Sequence, residues 1–313
     1  MTKRRVLKSE KRDLSSGLLD NIFARCQGAY SEKTMTGYRN DLLRFLRWCE
    51  SQGERWVPAT ADVVARFIDD QIEHFTPATL RRSIVALKFA HRMLEEPYPH
   101  ESPDIYLALR RAARRKPVRP KQSLGLTSEL LERMIEAAPK NLPGMRDAAL
   151  VSFGYDTLCR SREIAIIKVE HLADDLSSVL IPFAKNDPFG QGRTAYLSPR
   201  SQRLIGGWLE ASGIDDGPLF QGFHTLKLSG EFLNTSSIRR IVKNLAEAAE
   251  LKETQVEGLS GHSMRIGAAQ DMMCSGFDYL AIMQAGGWKS INVLARYVEN
   301  AAAKNLQKIR WTS

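Results

Sequence analysis

The chain has 313 residues, 43% hydrophobic and 26% charged, which is enough apolar material to bury a core and enough length for two domains. Lysine and arginine number 45 against 36 acidic residues, a formal charge of +9 that points to nucleic acid or an anionic membrane. No apolar run approaches the roughly 20 residues that span a bilayer. The basic start MTKRRVLKSEKRDLSSG leads into no apolar stretch of the signal-peptide kind, so nucleic acid leads. Cys26, Cys49, Cys159 and Cys274 fit neither metal nor disulfide spacing and read as reduced thiols of a cytoplasmic protein. No histidine pairs with them in a metal-type cluster.

In chain order, residues 15–113 follow a helical pattern. SEKTMTGYRNDLLRFLRWCESQG carries Tyr38, Leu42, Phe45, Leu46 and Cys49 at helical spacing, with Ser31 as N-cap and Gly53 as stop. TADVVARFIDDQIEHF repeats the pattern with Val63, Val64, Phe67, Ile68 and Ile72. TPATLRRSIVALKFAHRML opens with Thr76 as cap and Pro77 in the first helical position, and SPDIYLALRRAARR predicts a fourth helix. About thirty residues precede this bundle. The run RRAARRKPVRPKQSLG then carries Arg110, Arg111, Arg114, Arg115, Lys116, Arg119 and Lys121 with no acid. Like charges interleaved with prolines predict an extended linker, either a solvated tether or a strap along phosphates, and the chain's positive excess favours the strap.

From Leu126 a second domain is predicted. LTSELLERMIEAA has Thr127 ahead of Leu130, Leu131, Met134 and Ile135, and MRDAALVSFGYDTLCRSREIAIIKV reads as two helices split near Asp156–Arg160. The period then shifts: SSVLIPFAKNDPFGQGRTAYLS predicts two strands around a turn rich in Asn, Asp, Pro and Gly. Helical patterns resume through SQRLIGGWLEASG, TSSIRRIVKNLAEAAEL, MRIGAAQDMMCSG, YLAIMQAGG and SINVLARYVEN, and AAAKNLQKIRWTS ends the chain. The expected fold is mainly α, a helical bundle followed by a mostly helical domain with one small antiparallel element.

Features of this second domain look minor singly. TLCRSREIA sets Arg160 and Glu163 within one helical turn, and FAKNDPFGQGRT sets Lys185 at the strand end entering the hairpin. SGHSMRIGAAQDM opens a helix with His262 and Arg265, cations placed where the helix dipole disfavours them. AGGWKS adds Trp288, and ARYVEN adds Tyr297 on a late helix. Each has an ordinary structural explanation, a packed aromatic or a surface ion pair worth at most about 1 kcal/mol. Their joint order does not.

In that order, Arg160, Lys185, His262, Arg265, Trp288 and Tyr297, the chain resembles the tyrosine recombinases of the lambda-integrase superfamily, and within it the Cre-type group. SGHSMRIGAAQDM and IMQAGGWKSINVLARYVEN carry the resemblance most closely. SEKTMTGYRNDLLRFLRWC and WVPATADVVARFI are similar to that group's core-binding, SAM-like domain. The resemblance implies a catalytic domain of the DNA breaking-rejoining type, a 3′-phosphotyrosyl link to DNA and a free 5′-hydroxyl. It also implies strand exchange through a Holliday junction, with a homotetramer in the synaptic complex and a monomer off DNA. Double-stranded DNA with a short inverted-repeat site is the implied partner, for a cytoplasmic, nucleoid-associated protein that is prokaryotic or encoded by a phage or plasmid.

The chemistry of the residues agrees. A phosphodiester under attack gathers charge on its non-bridging oxygens, and guanidiniums clamp that charge without a metal. The anion facing His262 and Arg265 would be the scissile phosphate, which also suits a helix N-terminus. Arg160 and Arg265 form the expected clamp, His262 and Trp288 donate further hydrogen bonds, and Tyr297 is the nucleophile. Lys185 is the expected general acid, with Lys168 and Arg193 nearby in sequence, and Glu163 orients Arg160 or the lysine. Bond energy is kept in the protein–DNA link, so no ATP, metal or other cofactor is expected.

The expected domains are 1–115, core-binding; 116–125, linker; and 126–313, catalytic. Candidate DNA contacts are Lys33, Thr36, Arg39, Arg81 and Arg82 on bundle helices and Arg115, Lys116, Arg119 and Lys121 in the basic run. In the tail, Leu306, Ile309 and Trp311 form an apolar anchor that packs either in cis or on a neighbouring subunit. An integrase or type IB topoisomerase would use the same residues, though the short N-terminal stretch argues against an arm-binding domain. A catalytically inactive DNA-binding protein is the rival of another class, and a metal-dependent nuclease would need carboxylates that the pattern lacks.

Overall fold

The computed structural model describes residues 17–99, 101–117, 122–182, 192–225, 227–299 and 301. The chain divides into two compact units, Met1–Pro120 and Lys121–Ser313. Among the described residues, no helix is long and apolar enough to cross a membrane.

The first unit is a bundle of α1 (residues 17–25), α2 (Glu32–Gln52), α3 (Ala61–Gln71), α4 (Pro77–Met93) and α5 (Pro103–Arg115). The sequence signals for α2 and α4 act as expected. Ser31 Oγ accepts from the Thr34 amide, Gly53 closes α2 in the left-handed conformation, and Thr76 Oγ1 accepts from the Thr79 amide ahead of Pro77. Leu42, Phe45, Val64, Phe67, Ile68, Leu80 and Leu87 form the centre of its core. Helix α1 falls within the helical stretch 15–113 but ahead of the first element singled out by its spacing, and it belongs to the bundle because Leu19 and Ile22 are buried in the same core. Asp41 of α2 is buried and takes two hydrogen bonds from Arg82 of α4, at 2.7 and 3.0 Å, and one from Arg44 at 3.0 Å.

The first half of the basic run belongs to the predicted fourth helix, ahead of the expected linker at 116–125. Arg110, Arg111, Arg114 and Arg115 stand on α5, which is capped at Lys116. Two of them find acids on and after α3: Arg111 pairs with Asp69, and Arg115 with Glu73 at 2.8 Å. Lys116 Nζ donates to the Glu73 carbonyl at 3.1 Å. Intramolecular neutralisation lets a dense basic run continue as helix.

The second unit packs α6 (Ser128–Glu136), α7 (Leu142–Asp156), α8 (Ser161–Ala165), α9 (Pro199–Ser212), α10 (Thr235–Ala248), α11 (Glu253–Gly258) and α12 (Ser263–Cys274) around one large core. Helix α7 is buried along most of its length, which suits a central helix. The predicted hairpin strands are β1 (Ser178–Ile181) and β2 (Arg193–Tyr196), antiparallel with Ser178 opposite Tyr196 and Ile181 opposite Arg193. The pattern predicts a single antiparallel element, but a second sheet, β3 (Gln221–His224) with β4 (Lys227–Phe232), follows α9. Its strands are short, mostly solvent-facing and broken by a register shift, so no clean alternation announces them.

Helices α13 (Tyr279–Gly286) and α14 (residues 291–299) close the described chain. They pack in a separate, smaller cluster made of Leu158, Ala268, Ala269, Ile282, Trp288, Leu294 and Val298.

Candidate active site

Arg160 is the N-cap residue of α8 and Glu163 its third residue, a spacing that lets one carboxylate serve the arginine twice. Glu163 Oε2 accepts from the Arg160 amide at 2.9 Å, and Oε1 accepts from Arg160 Nη1 at 2.7 Å. Glu163 is buried and Arg160 half-buried, so the pair is held more firmly than a surface pair.

Helix α12 begins with serines satisfying its end. Ser260 Oγ accepts from the His262 amide at 3.1 Å, and Ser263 Oγ accepts from the Ser260 amide at 2.8 Å. That leaves the His262 and Arg265 side chains free for other work. His262 Nε2 shares a 2.7 Å hydrogen bond with the Tyr297 phenol oxygen. Arg265 is completely buried, with its guanidinium 3.7 Å over the centre of the Trp288 ring. Its Nη1 donates to the carbonyl of Leu158, a residue held at φ 50, whereas Nε and Nη2 have no partner among the described residues. Buried charged donors without acceptors are costly, on the order of 1–3 kcal/mol or more each, and mark a place made for an anion.

Trp288 and Tyr297 come from the small cluster, their rings 5.7 Å apart. Gly286 makes room for the indole: a Cβ there would stand 1.9 Å from Trp288 Cζ3. Tyr297 is held through its carbonyl, which accepts from Gln270 Nε2 at 3.0 Å and from Gln122 Nε2 at 3.5 Å. A cleft of about 210 Å³ opens beside the phenol, lined by Gln122, Ser123, His262, Val293, Arg296 and Tyr297 among others.

Charge in this group is unbalanced. Burial, followed by Arg265 and then Arg160, pushes the His262 pKa down to about 4, so its imidazole is neutral near pH 7. Burial and the neighbouring Arg160 push Arg265 down to about 10, which still leaves it charged. Two guanidiniums that repel each other, with Glu163 the acid that offsets the downward shifts of His262 and Arg265, are a site waiting for negative charge.

The fold therefore brings together Arg160, Glu163, His262, Arg265, Trp288 and Tyr297. Lys185 lies outside the described residues, in the connection between β1 and β2, as do Arg119, Lys121 and the tail residues Leu306, Ile309 and Trp311. In the first unit, Lys33, Thr36 and Arg81 are exposed and make no hydrogen bond or ion pair among the described residues. Arg39 is paired with Asp20 at 2.5 Å, while Arg82 and Arg115 are tied to Asp41 and Glu73. Two further side chains bear on the site: Gln270 on Tyr297, and Arg193, which the sequence offers only as a neighbour of Lys185 and which donates to backbone carbonyls beside the site. Gln270 was legible in principle, since His262, Ile266 and Gln270 repeat at intervals of four along one face of α12.

Comparison with known proteins follows the same lines. Residues 125–304 match the phage integrase family, and residues 23–96 match the N-terminal SAM-like domain of phage integrases. The chain is 26% identical over 307 residues to the recombinase cre of Escherichia phage P1, covering 91% of this chain and 89% of that protein. It is 25% identical over 288 residues to an integrase/recombinase xerD homolog of Selenomonas ruminantium, covering 88% and 84%. Its fold is similar to that of the XerH site-specific recombinase bound to palindromic difH substrate, with TM-score 0.66, 16% identity and coverage of 94% and 84%. The chain belongs to the phage integrase family and is a tyrosine recombinase of the lambda-integrase superfamily, an enzyme class that breaks and rejoins DNA.

Proposed function

We propose that the protein is a site-specific DNA recombinase in which Tyr297 attacks the scissile phosphate. The observation that carries this reading is the buried Arg265 guanidinium, with two donors unpartnered among the described residues, beside a tyrosine whose hydroxyl meets a neutral histidine at 2.7 Å. The phosphate oxygens take the open Arg265 donors and Arg160, relieving the repulsion between the two cations. As the Tyr297 oxygen bonds to phosphorus, its proton passes to His262 Nε2, and the bond to the 5′-oxygen breaks. Lys185 supplies the proton that leaves a free 5′-hydroxyl. Trp288 supports the Arg265 guanidinium from below, and Glu163 fixes Arg160.

Residues 1–115 serve as the core-binding domain, 116–125 as linker and 126–313 as catalytic domain. The partner is double-stranded DNA carrying an inverted-repeat site, with two subunits on each site and four in the synapse, and a monomer off DNA. Work on such a substrate places the protein at the nucleoid. Lys33, Thr36 and Arg81 are the freest candidates for contacts from the bundle, while Arg39, Arg82 and Arg115 would reach phosphate only with donors not already spent on acids.

The test is a plasmid carrying two copies of the site recovered from DNA flanking the gene, incubated with protein and neither ATP nor metal. Deletion or inversion between the sites supports recombination. Relaxation alone supports the topoisomerase-like alternative, and binding without any product supports a DNA-binding protein.

A further inference from the structure

Arg160 is mounted on the large core of the second unit and Trp288 on the small cluster, and Arg193 is a side chain that joins their supports through backbone. Arg193 opens β2, directly after the connection that holds Lys185. Its side chain is only 14% exposed. Nη1 donates to the Ala285 carbonyl at 3.0 Å, in the last turn of α13. Nη2 donates to the Thr157 carbonyl at 2.6 Å and to Cys159 Sγ at 3.4 Å, and lies 4.0 Å from Glu163 Oε2. Thr157 is the C-cap residue of α7. One guanidinium thus sits on the carbonyl ends of two helices, where the partial negative charge of each helix gathers.

Packing around it agrees. Gly287, at φ 65, leads the chain from α13 into Trp288, and a Cβ there would stand 3.3 Å from Arg193 Cδ. The turn is shaped against the arginine stem. Both Nη groups of Arg193 are spent on backbone, in contrast to Arg265, whose Nε and Nη2 have no partner among the described residues.

We propose that Arg193 is a positioning residue for strand cleavage: by capping α7 and α13 together it keeps Trp288, and through it Arg265 and Tyr297, aligned with Arg160 and Glu163. It acts through backbone rather than on phosphate. A lysine cannot replace it, because a single ammonium lacks the rigid fork that spans two carbonyls. The proposal rests on the assignment of Tyr297 as nucleophile.

The experiment compares full-length wild type, Arg193→Lys and Arg193→Gln on a nicked duplex carrying the site, from which the released 5′-hydroxyl fragment diffuses away and traps the adduct. Both variants are expected to bind the duplex as wild type does and to melt cooperatively, while single-turnover adduct formation falls on the order of 10²-fold, the effect of a small misplacement. A second duplex has one non-bridging oxygen of the scissile phosphate replaced by methyl, which lessens the need for cationic groups at that phosphate. It should leave the Arg193 defect in place. Recovery on that duplex would make Arg193 a direct phosphate ligand and overturn the proposal. So would wild-type rates in Arg193→Lys, or loss of DNA binding and cooperative melting in step with loss of cleavage, which marks a purely structural role. If wild type itself forms no adduct, the nucleophile assignment fails and this proposal with it; equal rates in wild type and variants sink the positioning role alone.

Discussion

The two halves of the candidate active site are built on different foundations. Arg160, Glu163 and the start of α12 are anchored in the large core, where α7 is buried along most of its length. Trp288 and Tyr297 rest on a cluster of few side chains, among them Ile282, Leu294 and Val298. Electrostatic stabilisation works best when donors are fixed before the reaction, so the phosphate-facing cations belong on the stiffer part. A nucleophile that must approach, bond and later release is carried on the part with less packing to rearrange. Arg193, Gln270 and the stacking of Trp288 under Arg265 are the contacts that keep the second part registered on the first.

Three substitutions and one titration would break or sharpen that contrast. The largest effect is expected from Tyr297→Phe, which deletes only the attacking oxygen and the hydrogen bond to His262. Adduct formation should fall to background, by on the order of 10⁴-fold or more, while gel-shift affinity for DNA stays close to wild type. Next comes Arg265→Ala, on the fixed half. It removes the pre-placed charge and should slow single-turnover cleavage by roughly 10²–10³-fold, with partial recovery on the methyl-substituted phosphate.

Gln270→Ala removes one neutral hydrogen bond to the Tyr297 carbonyl, worth about 1 kcal/mol, so cleavage should slow by roughly fivefold without change in affinity. The smallest signal is the ionisation of His262. In free protein its ring should titrate near 4 by NMR, well below an ordinary histidine, and bound DNA should raise it. Because the native pKa lies below the unfolded one, the unfolded chain takes up the proton first. The stability linked to this ring is therefore complete above about pH 6.5 and declines as pH falls toward 4. A ring titrating at its ordinary value would mean that His262 is neither buried nor crowded by Arg265 and Arg160 in solution.

The same contrast runs through what could be learned from sequence. Helix ends were legible because capping is local: Ser31, Gly53, Thr76 and Pro77 stand next to the structure they dictate. The residues of the site were legible as an ordered set of uncommon side chains, and the fold gathers all of those it describes. Arg193 left no such trace, since its acceptors are backbone carbonyls, and any residue type supplies those. Ion pairing of the bundle arginines was hidden for a related reason. Asp41 and Arg82 are distant in sequence, as are Glu73 and Arg115, so only the packed bundle reveals that these cations are already engaged. Helix α1 lies inside the stretch that reads as helical but has no element of its own in the pattern, and the second hairpin is absent from it, because a short buried helix and short exposed strands carry too few residues to establish a period.

The most direct measurement traps the reaction on a nicked duplex, separates protein–DNA adducts on a denaturing gel and maps the modified peptide. Attachment at Tyr297, abolished in Tyr297→Phe, is the predicted result. Attachment at another residue, or tight site-specific binding with no adduct at all, would contradict the assignment of Tyr297 and of the anion site built around Arg160 and Arg265.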